Sequence, residues 1–364
     1  MNIIFVGAYD TPDFGGVNEY MLRLSQQLEN KGHHCIVIRQ SKRNYETTIE
    51  GIKFINLAVK GPRFVEFFFF LIATRYIIKK KIEADVVCFQ SCLLYNLYSR
   101  PLISRGYKVC CVQHSFAIDN PKNNQMIGRI VLWIEKLTTR GKVNIITVSE
   151  HNAKLIKERI NKDSAVVRCG INIPETKTID NNLLMCLGLK ADEYYLTISR
   201  IDPVKNLHVL IKGFLKYNGS HKLVIGGNVN NDYGKTLVQL ASNDDRIIFA
   251  GPVLSDKKEI LLKNSFAYIL VSSSEGFPIS LLEAMSYGKR CVTSEISPIK
   301  EALGDELGYW CKVGSVDDIT KRLYEMDKCI NRERLEQTIF ERVSKNYTWN
   351  KAADAFLTYM KEIG

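Results

Sequence analysis

The sequence predicts an α/β protein of two Rossmann-like domains in tandem. Three observations carry this: a βαβ pattern at the N-terminus, a polar stretch near residue 180, and a second alternation of strands and helices beyond it. At 364 residues the chain is also long for one hydrophobic core.

Met1-Asn2-Ile3-Ile4-Phe5-Val6-Gly7 reads as a buried strand. An irregular segment with Pro12, Gly15 and Gly16 follows. Val17, Met21, Leu24 and Leu28 then recur at helical spacing until Lys31-Gly32 ends the pattern. Cys35-Ile36-Val37-Ile38 is the next strand, and a βαβ unit favours a parallel sheet. Further strands are expected at 84–89, 108–112 and 143–148, with a short one at Val166-Val167. Residues 118–127 are polar and rich in Asn, as in a mobile loop. Pro174, Thr176, Thr178, Asn181 and Asn182 mark a linker from Asn172 to about Leu189. The second pattern has strands at 194–198, 222–227, 246–251, 267–271 and 290–293, and it ends in a helical stretch around 352–360. The domains are therefore expected at 1–172 and 173–345, with a cleft between the C-terminal ends of their strands.

The formal net charge of +11 belongs entirely to the first half. Residues 1–170 hold 25 Lys/Arg and 14 Asp/Glu, and the remainder holds 25 of each. No zinc-finger, RNP-like or helix-turn-helix pattern accompanies it, which argues against nucleic acid and for an anionic membrane face or acceptor. Phe67 to Ala73 reads FFFFLIA and continues to Lys79-Lys80-Lys81. It is too short and too charged to span a bilayer. Residues 64–81 are instead expected to lie at the headgroup level, against the plainer alternative of a helix packed in the first core. The ten cysteines form no repeated CxxC pattern, and Cys35, Cys88, Cys110 and Cys111 sit in apolar segments. Reduced thiols in a cytoplasmic protein are the expectation. The six histidines show no HxxxH or HxH spacing, so no metal site is expected.

Chemistry concentrates in Ser272-Ser273-Ser274-Glu275-Gly276-Phe277-Pro278 and the following Ile279-Ser280-Leu281-Leu282-Glu283-Ala284-Met285. Two carboxylates stand eight residues apart across a loop-to-helix junction. The backbone from Gly276 through Phe277, Pro278 and Ile279 leads to a helix N-terminus, where anions are favoured. Glu283 suits two ribose hydroxyls, and Glu275 lies nearer a sugar. Arg200 and Lys205 follow another strand, and two fixed cations there suit a leaving diphosphate whose charge grows in the transition state. An acidic pair beside a basic pair points to a nucleotide sugar. His114 follows a hydrophobic strand, suited to donate a hydrogen bond to a sugar hydroxyl or to carry positive charge beside phosphates. Gly15 and Gly16 allow close backbone approach, although the GxGxxG fingerprint of NAD sites is absent. The polar side chains of Thr147-Val148-Ser149-Glu150 also end a strand and are candidates to line the acceptor side, against the plainer alternative that Ser149 caps the helix beginning at about His151.

On these residues the chain resembles the retaining GT-B glycosyltransferases of family 4 (glycosyl transferases group 1). The matching segments are Gly15-Gly16, Lys31-Gly32-His33, Val148-Ser149-Glu150, Cys169-Gly170-Ile171-Asn172, Ser199-Arg200 with Lys205-Asn206, Phe249-Ala250-Gly251, and Glu275-Gly276-Phe277-Pro278 through Glu283-Ala284-Met285 to Gly288. The resemblance implies a GT-B fold whose second domain binds the nucleotide sugar. Glu283 would match the ribose carboxylate, Glu275 the glutamate near the sugar, and Arg200 and Lys205 the diphosphate pair. His114 would contact the sugar and Gly16 the phosphate region. The first domain would bind the acceptor, with the last helix, about 346–364, packing back on it. No metal or other cofactor is implied. The setting implied is bacterial cell-surface polysaccharide synthesis on a lipid-linked acceptor, at the inner face of the membrane. Two departures stand out: Asn206 replaces a usual glycine, and Cys169 a usual asparagine. A GT-B nucleotide-sugar epimerase and a membrane-docked binding protein without turnover remain the rival readings.

Overall fold

The computed structural model describes residues 1–10, 15–59, 66–114, 125–174 and 182–363. Pro12, residues 64 and 65, residues 118–124 of the expected loop, and Thr176, Thr178 and Asn181 of the expected linker lie outside the described residues. The chain divides into two compact units, Met1–Cys169 with Trp349–Gly364, and Gly170–Thr348.

The first unit runs β1 (Asn2–Tyr9), α1 (Gly16–Asn30), β2 (His34–Ser41), β3 (Tyr45–Ile49), β4 (Ile52–Ala58), α2 (Glu66–Lys80), β5 (Val86–Phe89), α3 (Tyr95–Ile103), β6 (Lys108–Gln113), α4 (Gln125–Thr138), β7 (Ile145–Thr147), α5 (Glu150–Ile160) and β8 (Ala165–Val166). The eight strands pair in the order β3-β4-β2-β1-β5-β6-β7-β8. All pairs are parallel except β3–β4. Near-continuous apolar runs such as Ile3–Val6 and Val86–Phe89 are buried on both faces, as a covered parallel sheet requires. The β3–β4 hairpin was not expected from the sequence. It turns at Glu50 and Gly51, both at positive φ (45° and 86°), a pairing that matches the twist of a two-residue hairpin loop. Arg23 of α1 ties it down through Glu50, and is itself held by Glu19 at 2.8 Å.

The second unit runs α6 (Asn182–Cys186), β9 (Tyr194–Ile198), a 3-10 turn at Pro203–Lys205, α7 (Leu207–Leu215), β10 (Lys222–Gly226), α8 (Asp232–Ala241), β11 (Ile247–Gly251), α9 (Ser255–Asn264), β12 (Ala267–Leu270), α10 (Ile279–Ser286), β13 (Cys291–Ser294), α11 (Ser297–Leu303), β14 (Gly308–Cys311), α12 (Val316–Asp327) and α13 (Arg332–Asn346). Its six strands are all parallel, in the order β11-β10-β9-β12-β13-β14. Numbered within the unit this is 3-2-1-4-5-6, the doubly wound order whose direction reverses between its first and fourth strands. β14 was absent from the sequence expectation, because Gly308–Cys311 is short and only half-buried over most of its length. The last helix, α14 (Trp349–Glu362), belongs to the first unit. There Phe356 meets Phe5 at 5.7 Å between ring centroids, Trp349 meets Tyr20 at 5.9 Å, and Asp354 pairs with Lys31 at 2.9 Å.

The phenylalanine run corrects an expectation. Phe69, Ala73 and Ile77 recur four apart on α2 and are buried in the first core. Phe70 packs on Phe89 and Tyr98, at 5.6 and 5.4 Å. A face that already fills the protein interior is not available to headgroups. Phe68 alone of the large apolar α2 side chains described is exposed.

Burial has a measurable consequence on α4. Glu135 is buried there, and desolvation raises its carboxyl to about 7, with Arg159 opposing. A raised folded value gives stability that is full below the unfolded value near 4.5 and is lost as pH rises through about 7. Glu135→Gln is therefore expected to melt above the parent at about pH 8 and to lose that advantage in acid. Thermal denaturation across pH reads this, and parallel curves would remove the claim.

Candidate active site

The second unit presents its candidate residues at the reversal point of the sheet. β9 and β12 are neighbours there, and the loops beyond them carry Arg200 with Lys205 and Glu275 respectively. Four contacts tie the two loops together. Lys205 Nζ donates to Glu275 Oε1 at 2.6 Å, with side chains only 14% and 11% exposed. Asn206 Nδ2 donates to the Val271 carbonyl at 3.1 Å. Ser273 donates to the Val204 carbonyl twice, through its backbone N–H at 2.8 Å and its hydroxyl at 3.1 Å.

Local sequence explains the shape of the first loop. Asp202 caps the 3-10 turn by accepting the Val204 N–H at 3.2 Å, and Pro203 fits its first position. Asn206 then adopts φ 51°, ψ 31° before α7 starts. This left-handed geometry accounts for the departure noted at this position. Asparagine is among the few non-glycine residues that enter it readily, and its amide gains the Val271 bond. The loop keeps its course.

Glu275 also accepts the Ser272 hydroxyl at 2.6 Å, so a cation and a hydroxyl converge on one carboxylate oxygen. Ser272 is fixed in turn by Ser294, whose hydroxyl donates to the Ser272 carbonyl at 2.6 Å. Gly276 is half-buried, and Phe277 and Pro278 are buried, with Phe277 packed on Tyr347 at 5.4 Å. α10 starts at Ile279 with Pro278 as its cap residue and no side-chain cap bond. The amides of Ile279 and Ser280 precede any intrahelical acceptor, which makes this terminus suited to a phosphate or a hydroxyl. Glu283 is on the next turn and accepts from Lys258 Nζ of α9 at 2.5 Å. Lys258 escaped sequence reading because only the fold brings α9 beside α10. Arg200 is exposed and pairs with nothing among the described residues, unlike Lys205.

Close backbone approach at the ends of β9, β10 and β11 places the Arg200 loop. A Cβ on Gly227, at φ 152°, would stand 2.4 Å from the Ser199 carbonyl oxygen. Ser199 N–H donates to Gly226 O at 3.0 Å, and Gly227 N–H to Gly251 O at 2.8 Å.

In the first unit the sheet reverses between β1 and β5. Gly15 and Gly16 lie beyond β1, and His114 directly follows β6, next to β5. Gly15 has an ordinary φ of −66°, and a Cβ there would meet nothing within 4 Å among the described residues. Neither backbone strain nor described packing demands glycine there, which leaves room for a ligand. His114 Nε2 lies 2.8 Å from Gln90 Oε1, while Gln90 Nε2 faces the Cys88 carbonyl at 3.5 Å. An amide oxygen only accepts, so Nε2 carries the imidazole proton and Nδ1 offers a lone pair. The Tyr20 ring meets the imidazole edge-on at 5.0 Å, and Asn152 Nδ2 donates to the His114 carbonyl at 2.9 Å. Burial lowers the imidazole to about 4. With Nε2–H directed at Gln90 and the ring neutral near pH 7, His114 offers a lone pair at Nδ1 rather than the expected free donor or positive charge. Ser149 caps α5, the plainer of its two readings, accepting the Asn152 N–H at 3.1 Å.

Comparison with known proteins agrees with this architecture. A Glycosyltransferase Family 4 model matches residues 14–174, and a Glycosyl transferases group 1 model matches residues 188–341. The gpi3 subunit of phosphatidylinositol N-acetylglucosaminyltransferase from Schizosaccharomyces pombe is 24% identical over 94% of this chain and 76% of its own length. Among solved structures, a sucrose-phosphate synthase from Thermosynechococcus elongatus superposes with TM-score 0.85 at 16% identity, covering 100% of this chain and 99% of that one. Anabaena HepE in complex with UDP-glucose superposes with TM-score 0.77 at 15% identity, covering both chains fully. The chain is a glycosyltransferase of the GT-B fold, with a family 4 domain followed by a glycosyl transferases group 1 domain.

Proposed function

We propose that this enzyme moves a sugar from a nucleotide-sugar donor to a lipid-linked glycan acceptor, with retention of anomeric configuration. The setting we propose is bacterial cell-surface polysaccharide assembly at the cytoplasmic face of the membrane. The observation that carries the reading is the Lys205–Glu275 pair beside the uncapped α10 terminus, at the reversal point where ligands of doubly wound sheets bind. The lipid acceptor draws support from the S. pombe relative's phosphatidylinositol and from the basic first half of this chain. The UDP-glucose of HepE makes UDP-sugars the first donors to test.

The residue roles are part of the same proposal. Arg200 and Lys205 hold the donor diphosphate, Lys205 as a point charge already oriented by Glu275. Glu283 accepts the two ribose hydroxyls. Glu275, with Gly276, Phe277, Pro278 and Ile279, frames the donor sugar, and His114 accepts a sugar hydroxyl at Nδ1. Gly15 and Gly16 let backbone approach the phosphates. As the anomeric carbon–oxygen bond to the diphosphate breaks, the acceptor hydroxyl attacks from the same face and its proton passes to a diphosphate oxygen. Arg200, Lys205 and the α10 terminus stabilise the charge that develops there, so the reaction needs no metal.

Thermal stabilisation by a panel of UDP-, GDP-, ADP- and TDP-sugars tests the donor half. One nucleotide class is expected to raise the melting point of the parent, and Glu283→Ala is expected to abolish the shift. A flat panel contradicts the assignment. Proton NMR of the isolated product reads retention directly.

A further inference from the structure

We propose that the outer faces of α3 and α4 form a docking surface for an anionic lipid bilayer. The proposal deepens the lipid-linked acceptor reading, on which its purpose rests, although its measurement does not. It starts from large apolar side chains left in water. On α4, Trp133 is 62% exposed and Ile130 50%, three residues apart and so on one face. On α3, Leu97 is 53% exposed and Ile103 49%. The two helices are neighbours, since Asn96 Nδ2 donates to the Arg140 carbonyl at 3.0 Å, just beyond the end of α4.

Charge selects the occupant. Arg100, Arg105, Arg129, Lys136, Arg140 and Lys142 are exposed across the same two segments. The acidic residue of these segments, Glu135, is buried on the opposite side of α4. An ideal helix puts Lys136 and Arg129 on one flank of Trp133, with Leu137 and Ile130 on the other, and exposed Arg140 follows just beyond the helix end. An indole and aliphatic side chains bordered by cations are the composition of an interfacial helix. A protein partner would be expected to find some acidic complement exposed here, whereas phospholipid headgroups need only cations and a shallow apolar wedge. On α2, by contrast, Phe69 and Phe70 pack in the core and Phe68 is exposed.

Co-sedimentation of the full chain with phosphatidylcholine vesicles, with and without phosphatidylglycerol, tests the proposal without donor or acceptor. Its failure is therefore separable from failure of the transferase reading. The parent is expected to bind vesicles containing phosphatidylglycerol, with weakening in salt and a blue shift of tryptophan emission. Ile130→Ser with Trp133→Ser is expected to lose roughly tenfold or more in partitioning. Arg129→Gln with Lys136→Gln and Arg140→Gln is expected to lose about as much. Phe68→Ser should stay within about twofold of the parent. All of these sites are exposed, so unchanged melting curves will confirm folding. Parent-like binding by the Ile130/Trp133 variant overturns the proposal. So does equal binding to phosphatidylcholine alone, no binding by the parent, or self-association through this face that the variant abolishes.

Discussion

Lys205→Ala is expected to lower kcat for sugar transfer by about a hundred- to a thousandfold, while the melting temperature moves by only a few degrees. The argument is one of differential charge. In the resting enzyme the ammonium sits 2.6 Å from Glu275 in a largely buried pair. In the proposed transition state it faces a departing diphosphate whose charge is growing, in a site that its own loop contacts hold in place. Losing an oriented charge there removes an interaction that is strongest at the barrier, so kcat falls more than donor affinity. Stability is buffered because Ser272 still donates to the orphaned carboxylate and Asn206 and Ser273 still tie the loops. Lys205→Arg should recover part of the rate, since charge is retained and only its placement changes. A variant with parent-like kcat in a steady-state assay would show that Lys205 serves structure alone.

Gly7→Ala is expected to destabilise the first unit by about 1–3 kcal/mol and to reduce transfer by about tenfold or more. Gly7 lies on β1, where a Cβ would stand 2.4 Å from both Cβ and Cγ of Gln90. Something must shift, and Gln90 is what holds the His114 proton on Nε2 at 2.8 Å. Displacing it frees the imidazole to rotate or change tautomer, so the Nδ1 lone pair is no longer fixed. Gln90→Leu, which leaves Gly7 alone, separates the two effects. It is expected to keep most of the stability while showing the same loss of kcat and an altered pH profile. Denaturant unfolding and kinetics on both variants check this, and a fully active Gln90→Leu would leave Gly7 as a packing residue only.

The sequence made the two-unit α/β architecture legible because parallel strands buried on both faces read as unbroken apolar runs, as in Ile3–Val6 and Val86–Phe89. The β3–β4 hairpin escaped because Tyr45-Glu46-Thr47-Thr48-Ile49 is polar and half-exposed, with a Glu-Gly turn outside the usual Asn-Gly signal. The phenylalanine run was ambiguous for a physical reason: periodicity alone does not tell a core helix from an interfacial one. What separates them is which face is covered, and α2 is covered. The candidate site was legible where its proposed residues are close in sequence, as Glu275 and Glu283 are. It was opaque where function depends on strand order. Lys258 reaches Glu283, and Gln90 reaches His114, across elements whose adjacency no local pattern records. Burial was equally hidden, and it decides that His114 is neutral rather than cationic.

Nucleotide release from the donor that the panel identifies, measured with and without a bacterial lipid extract, tests the central claim most directly. The expected result is release that rises with extract in the parent and disappears in both Lys205→Ala and Glu283→Ala. Release that is unchanged in both variants would contradict the placement of donor chemistry at the second sheet. Release that ignores the extract entirely would contradict transfer to a lipid-linked acceptor and favour an epimerase instead.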